Sequence, residues 1–385
     1  MRLEDICTVF TDGDWIESKD QSESGIRLVQ TGNIGEGRYL EKEARAKYIS
    51  EETFYKLKCT EIFPGDILVS RLPEPVGRAC IVPEKTERMI TAVDCTICRP
   101  NESLISKEYL CYFMRSNAYY TRLLGNVTGT TRKRISRKNL GSVELQIPTK
   151  DEQKIVVERL DCLVKAIDSR TKELQLLDEL IKARFVELFG DPRSNPFGFE
   201  KKMLKDTCKV ITGNTPSRAI AEYYGDYIEW IKTDNIVSGI LNPTQATESL
   251  SEKGMNVGRT VEKDSILMAC IAGSIASIGR VCITDRTVAF NQQINAVVPE
   301  QYNILFLYVL LQMSKDYLVE DINMALKGIL SKSKLEEKEF IIPPMDLQEQ
   351  FSDFVKQVDK SKVAVQKALD ETQLLFNSLM QEYFG

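Results

Sequence analysis

The stretch Ile26-Arg27-Leu28-Val29-Gln30-Thr31-Gly32-Asn33-Ile34 returns, altered, as Ile228-Glu229-Trp230-Ile231-Lys232-Thr233-Asp234-Asn235-Ile236, an offset of 202. At the same offset, Val76-Gly77-Arg78-Ala79-Cys80-Ile81 returns as Ile278-Gly279-Arg280-Val281-Cys282-Ile283. A repeat on this scale means one architectural unit used twice, and it constrains the fold more than any local propensity does. Further along, Ile135-Ser136, Leu140 and Ile147-Pro148 answer to Leu330-Ser331, Leu335 and Ile342-Pro343 at an offset of 195, which then holds to Gly190 and Gly385. The first copy therefore carries seven more residues between the two anchors, and length varies only in the middle of a copy.

Each copy closes on a helical pattern. Val156, Leu160, Leu163, Ile167, Arg170, Leu174, Leu177, Ile181, Arg184 and Leu188 alternate steps of four and three. Phe351, Val355, Val358, Lys362, Val365, Leu369, Thr372, Phe376, Leu379 and Tyr383 do the same. Such spacing is a heptad seam. No proline or glycine interrupts either run; Asp151 and Asp346 stand where N-caps belong and Gly190 where a C-cap does. A helix of about 38 residues spans roughly 57 Å, and one amphipathic rod cannot bury its seam alone. The expected fold is α+β and pseudo-two-fold: a mixed α/β domain at 1–150, a helix at 151–190, a second domain at 191–345 and a second helix at 346–385, with the two helices forming an antiparallel coiled coil. Within the domains, Asp66-Ile67-Leu68-Val69, Ser265-Ile266-Leu267-Met268-Ala269, the Gly-Arg-x-Cys-Ile pieces and Gln293-Ile294-Asn295-Ala296-Val297-Val298 read as strands, with helices at 108–124 and 304–319.

Composition excludes several chemistries. The chain has no histidine, which removes Ser-His-Asp and Cys-His catalysis and His-based zinc sites. Its ten cysteines are dispersed, and Cys95 and Cys98 form a CxxC pair without a second pair at finger spacing, so reduced, mostly buried thiols are expected. No apolar run is long enough for a membrane helix, and the acidic start MRLEDICTVF is unlike a signal peptide, so a cytoplasmic address is expected.

The formal net charge of −5 is distributed unevenly: +2 in residues 1–150, −2 in 191–345, and −2 and −3 in the two helical segments. The helices carry the acid, and the domains together are neutral. Neutral domains still bind a polyanion where cations cluster, because counterion release depends on local phosphate neutralisation. Arg132, Lys133, Arg134, Arg137 and Lys138 cluster after Gly125 in the first copy, and Lys327, Lys332 and Lys334 in the second. Amides and hydroxyls suited to reading base edges crowd the turns around Gln30, Thr31 and Asn33; Asn214 and Thr215; Lys232, Thr233 and Asn235; and Asn291, Gln292 and Gln293. The same residue types also serve plain turns.

Taken whole, the chain resembles the specificity subunit of type I restriction-modification systems. The resemblance rests on the duplicated order, the Thr212-Gly213-Asn214-Thr215-Pro216-Ser217 turn, the Asn291-Gln292-Gln293-Ile294-Asn295-Ala296 strand, and the Ile147-Pro148 and Ile342-Pro343-Pro344 exits before Asp151-Glu152-Gln153 and Leu347-Gln348-Glu349-Gln350. It implies two target recognition domains, each reading half of a split double-stranded DNA site. It also implies helices that hold two modification (methyltransferase) subunits, with S-adenosylmethionine bound in those partners and cleavage left to a motor-nuclease subunit. The sequence agrees in lacking an adenine-methyltransferase tetrapeptide, an ATP-binding loop and a dinucleotide fingerprint. The first copy departs from the pattern, with Asp12-Gly13-Asp14 in place of the Thr-Pro-Ser turn and Asp94-Cys95-Thr96 facing Asn291-Gln292-Gln293. Two other classes compete: a protein-docking adaptor, and a metal-dependent nuclease using carboxylates such as Asp66 and Glu84.

Overall fold

Short strands bounded by turns, followed by one uninterrupted heptad run, are built twice. The computed structural model describes residues 1–125, 133–320, 322 and 328–385. The first copy runs β1 (Cys7–Asp12), β2 (Ile26–Val29), β3 (Tyr48–Ile49), α1 (Glu51–Leu57), β4 (Glu61–Ile62), β5 (Ile67–Ser70), β6 (Ala79–Ile81), β7 (Met89–Thr91), β8 (Cys95–Pro100), α2 (Lys107–Phe113), α3 (Asn117–Leu124), α4 (Arg137–Gly141) and the long α5 (Lys150–Phe189). The second runs β9 (Glu200–Met203), β10 (Cys208–Thr212), β11 (Tyr224–Gly225), β12 (Ile228–Ile231), β13 (Ser249–Leu250), α6 (Glu252–Val257), β14 (Thr260–Val261), β15 (Ile266–Ala269), β16 (Ile271–Ala272), β17 (Val281–Ile283), β18 (Val288–Phe290) and β19 (Ile294–Pro299). It continues through α7 (Ile304–Met313), α8 (Lys315–Val319), β20 (Gly328–Ile329), α9 (Lys332–Glu336), β21 (Glu339–Ile342) and the long α10 (Met345–Phe384).

Two compact units result, Met1–Ser169 with Ala368–Gly385, and Arg170–Lys367. The first contains an antiparallel sheet of order β1-β8-β5-β6 and a second sheet, β3-β2-β7-β4, in which β2 and β7 run parallel. The second repeats this as β10-β19-β15-β17 and β11-β13-β12-β18-β14, with β12 and β18 parallel, and adds the pairs β9/β21 and β16/β20. β5 reads as an unbroken apolar run because both its faces are covered. Ile67 and Val69 face the helical core, and Leu68 joins Val29, Ile62 and Met89 of the other sheet. β15 divides in the same way, Ile266 and Met268 on the helical side and Leu267 and Ala269 on the other.

In the first unit, Val156 and Leu160 near the start of α5 share a core with Phe376, Met380 and Phe384 near the end of α10. In the second, Ile181, Phe185 and Phe189 near the end of α5 share one with Phe351, Val355 and Val358 near the start of α10. Each unit thus pairs the beginning of one helix with the end of the other, the antiparallel order that the seams predict. Of the nominated seam positions, Val156, Leu160, Ile181, Phe351, Val355, Val358 and Phe376 are buried, and Leu163, Ile167, Leu174, Leu177, Leu188, Val365, Leu369, Leu379 and Tyr383 are half-buried.

Three expectations are corrected. The helices expected at 108–124 and 304–319 are each broken in two. In the first, Ser116 turns its hydroxyl to the N–H of Tyr119 and caps a new helix. The first long helix is capped by Thr149, not Asp151: Thr149 and Glu152 bond reciprocally as a capping box, while α10 begins at Met345, so that Asp346 lies inside its first turn instead of at the N-cap. Asp94-Cys95-Thr96 faces Gln293-Ile294-Asn295, since β8 starts at Cys95 and β19 at Ile294. The offset is 202 at β6/β17, 199 at β7/β18 and β8/β19, and 195 from Arg137/Lys332 onward, so three extra residues precede β7 and four precede α4.

Candidate nucleic-acid interface

The nominated loops, scattered through each copy, are drawn to one end of its main sheet, where β1 and β5 finish and β6 and β8 begin. After β1, Gly13 N–H donates to Cys95 O (2.8 Å) and Asp14 N–H to Thr91 O (2.8 Å). Arg71 N–H, after β5, donates to Asp94 O (2.9 Å), and Ile135 N–H to Arg71 O (3.3 Å), which brings in the basic segment. Arg78 closes the set by donating from Nη2 to Thr31 O (2.9 Å) and from Nε to Ile34 O (2.7 Å). The second copy repeats the pattern: Gly213 N–H to Ile294 O (3.0 Å), Asn214 N–H to Phe290 O (3.1 Å), Cys270 N–H to Gln293 O (2.8 Å) and Leu330 N–H to Cys270 O (2.9 Å). Arg280 Nη2 there reaches Thr233 O (3.3 Å). The arginine of the repeated Gly-Arg pair is therefore the tie between loops, a role that its recurrence marks but does not explain.

Several nominated amides spend their hydrogen bonds inside the frame. Asn33 Oδ1 accepts from Gln30 N–H (3.0 Å) and its Nδ2 donates to Leu40 O (3.0 Å). Asn235 does the same with Lys232 N–H (3.0 Å) and Gln245 O (3.1 Å). Asn291 is buried and bonds Gln293 twice, and Asn214 accepts from Arg259 N–H (2.8 Å) while donating to Val257 O (2.9 Å). These four shape loops, since a short amide can replace a backbone partner. Gln30, Thr31 and Thr233 stay partly open, and Thr215 and Gln292 are exposed and bonded to each other.

Arg137 and Lys138 lie in α4, and Lys332 and Lys334 in α9, not in loops. Both short helices are N-capped by the recurring serine, Ser136 or Ser331. Arg132 and Lys327 lie outside the described residues. The described cations of the first copy meet acids: Lys133 on Glu74, Arg134 on Asp94 (3.0 Å), Arg137 3.9 Å from Asp12. Lys138 is exposed. Buried Arg71 lies with Nε 3.3 Å from Asp12 Oδ1, an ion pair too bent to count as a hydrogen bond, while its Nη2 donates to Val93 O (2.6 Å). Burial lowers the Arg71 pKa from its ordinary value, and Asp12 opposes the shift. In the second copy Lys332 pairs with Glu336 (3.4 Å), and Lys232 is half-buried against Glu248 (2.7 Å) and over the Trp230 ring.

Among the described residues no group of three or more His, Cys, Asp or Glu side chains could hold a metal ion. Asp66, considered above as a nuclease carboxylate, is buried and gripped by Arg99 through two bonds of 2.7 and 2.8 Å, which leaves it no free oxygen pair for a cation. Cys95 and Cys98 are buried thiols on one strand, and burial pushes Cys95, Cys208 and Cys270 up to about 12, away from a reactive thiolate. No helix among the described residues is long and apolar enough to cross a membrane.

A duplicated α+β domain, with loops gathered at one end of its main sheet and a share in a pair of long helices, is the class of fold this chain builds. Residues 1–179 and 196–372 both match the type I restriction modification DNA specificity domain, and the chain belongs to that family. The specificity subunit of the HindI type I restriction enzyme of Haemophilus influenzae is 23% identical over 74% of this chain and 77% of its own length. The MjaIX specificity subunit of Methanocaldococcus jannaschii is 23% identical over 80% and 74%. Among solved structures, the type I restriction-modification S subunit from M. genitalium shares the fold at a TM-score of 0.58 with 13% identity, covering 100% of this chain and 95% of that one. A chain from a structure on complex assembly and conformational transition of a type I system does so at 0.58 with 17% identity, covering 100% and 96%.

Proposed function

We propose that the loop-built end of each domain reads one half of a bipartite duplex site, and that the long helices hold two modification subunits on it. The adenine methyltransferase chemistry, with its S-adenosylmethionine, belongs to those subunits; motor-nuclease subunits join where restriction accompanies modification. This reading carries a cytoplasmic address. The observation that supports it most is the convergence, in both copies, of separate loops and a cationic segment on one end of the sheet, tied by the same backbone bonds. Phosphate contacts from such cations fix register, and exposed amides and hydroxyls are the groups that distinguish bases.

Selection from a random duplex library, with the modification subunit co-expressed, should enrich one bipartite sequence; a pool with no enriched sequence overturns the reading. Replacing Arg134 and Arg137 together by alanine should weaken binding and flatten its salt dependence by about one unit of slope for each phosphate no longer neutralised. Unchanged binding would put the DNA-facing surface elsewhere.

A further inference from the structure

The turn that follows the first strand has the same path in both copies and carries different chemistry at its tip. A Cβ on Gly13 would lie 2.3 Å from Thr91 O, and one on Gly213 2.1 Å from Asn291 O, so the backbone there admits only glycine without rearrangement. The next residue fastens the turn from its side chain. Asp14 Oδ2 accepts from Thr60 N–H (2.8 Å), as Asn214 Oδ1 accepts from Arg259 N–H (2.8 Å). The residue after that is left in solvent: Trp15 in the first copy and Thr215 in the second.

Trp15 is 70% exposed, whereas the other tryptophan of the chain, Trp230, is 3% exposed with the Arg218 guanidinium 5.5 Å from its ring centroid. Among the described residues the one polar contact of Trp15, Nε1–H to Glu17 Oε1 at 3.4 Å, joins two exposed groups and holds the ring weakly. An indole standing on a fixed turn, three residues beyond the Asp12 that meets Arg71 and Arg137, is placed for a ligand with flat apolar faces and an anionic backbone. Duplex DNA offers both, and an apolar wedge pushed into a base step unstacks it and kinks the helix by roughly 20–90°.

We propose that Trp15 inserts into the base stack of the half-site read by the first domain. The inference rests on the DNA-facing end argued above. It implies unequal half-sites: the second copy offers a hydroxyl and an amide, Thr215 with Gln292, where the first offers a ring. A methyltransferase must extrude its target base from the duplex, and a step already unstacked by Trp15 lowers that cost in the first half-site alone.

The test uses the chain assembled with its modification subunits, and duplexes carrying 2-aminopurine at one position at a time through both half-sites. With the native chain, emission should rise at the target bases that the modification subunits extrude and, severalfold, at one further step present in the first half-site alone. Trp15→Ala should return that signal to the free-duplex level and weaken binding about ten- to hundredfold, Trp15→Phe should keep part of it, and the second half-site should not respond. Equal emission from native and Trp15→Ala complexes overturns the inference, as does loss of assembly with the modification subunit in the absence of DNA. If Trp15→Ala changes nothing while the Arg134 and Arg137 replacements still flatten the salt slope, the insertion falls and the DNA-facing end stands. If neither set alters binding, both fall.

Discussion

At the proposed reading end of the first domain carboxylates hold Lys133 (Glu74), Arg134 (Asp94), and Arg71 and Arg137 (Asp12), and Trp15 stands exposed; in the second, Lys232 and Lys332 are likewise paired, with Glu248 and Glu336, and the exposed groups are Thr215 and Gln292. Beneath this difference the frames coincide. The glycine turns, the Arg78 and Arg280 ties and the serine caps on α4 and α9 occupy corresponding places. The comparison separates the frame from what it displays. Internally bonded groups keep the loops in place, and the outward residues are free to differ without disturbing them. Prepaired cations are already oriented, and if this end meets DNA as proposed, each would exchange a carboxylate for a phosphate, so part of their attraction would offset an ion pair already made.

The sharpest way to break the comparison is at the shared helices. Leu160→Asp should cost the first unit about 3–5 kcal/mol, by burying a charge in a packed core, and Val355→Asp should do the same to the second. Hydrogen exchange should then lose protection in Met1–Ser169 and Ala368–Gly385 for one variant and in Arg170–Lys367 for the other. Loss throughout the chain in either variant would mean that the units are not separate.

A smaller effect should distinguish two buried glutamines at an offset of 195. Gln153 joins Ser106 N–H, Leu104 O and Pro148 O to the start of α5, while Gln348 joins Asn303 N–H and Pro343 O to the start of α10. Alanine at either should cost about 1–3 kcal/mol through partners left unsatisfied, and chemical denaturation should show Gln153→Ala as the worse of the two.

The smallest concerns Asp14, for which the second copy has Asn214. Burial raises the Asp14 carboxyl above its ordinary 3.8, against the Thr60 N–H, so the folded chain keeps this proton to higher pH than the unfolded chain. Stability from this site is therefore lost as pH rises from 3.8 through the raised value. Asp14→Asn should raise Tm by about 1–2 °C at neutral pH, with the gain fading as pH falls toward 3.8. A gain that grows on acidification would reverse the argument.

The seam was legible because a heptad period shows in the residues themselves: none of Val156 through Leu188 or Phe351 through Tyr383 at the nominated apolar positions is fully exposed. Phe185, Phe189, Met380 and Phe384 were missed, because near the domains the helices bury a wider stripe than a two-stranded seam requires. Strand order was illegible, since the parallel pair β2/β7 joins residues some sixty positions apart. The reading end was legible as a set of loops but not residue by residue. Asn33, Asn235 and Asn291 look like base readers in a sequence, and only their backbone partners reveal them as braces.

The division of the long helices also bears on biosynthesis. Arg170–Lys367 is one contiguous stretch, so the second unit has all its parts once Lys367 has left the ribosome. The first unit, although synthesis reaches it first, lacks a wall of its core until Phe376, Met380 and Phe384 emerge. Its exposed faces of α2 and α5 must wait through the making of the entire second domain, an interval in which a chaperone or another nascent copy could occupy them.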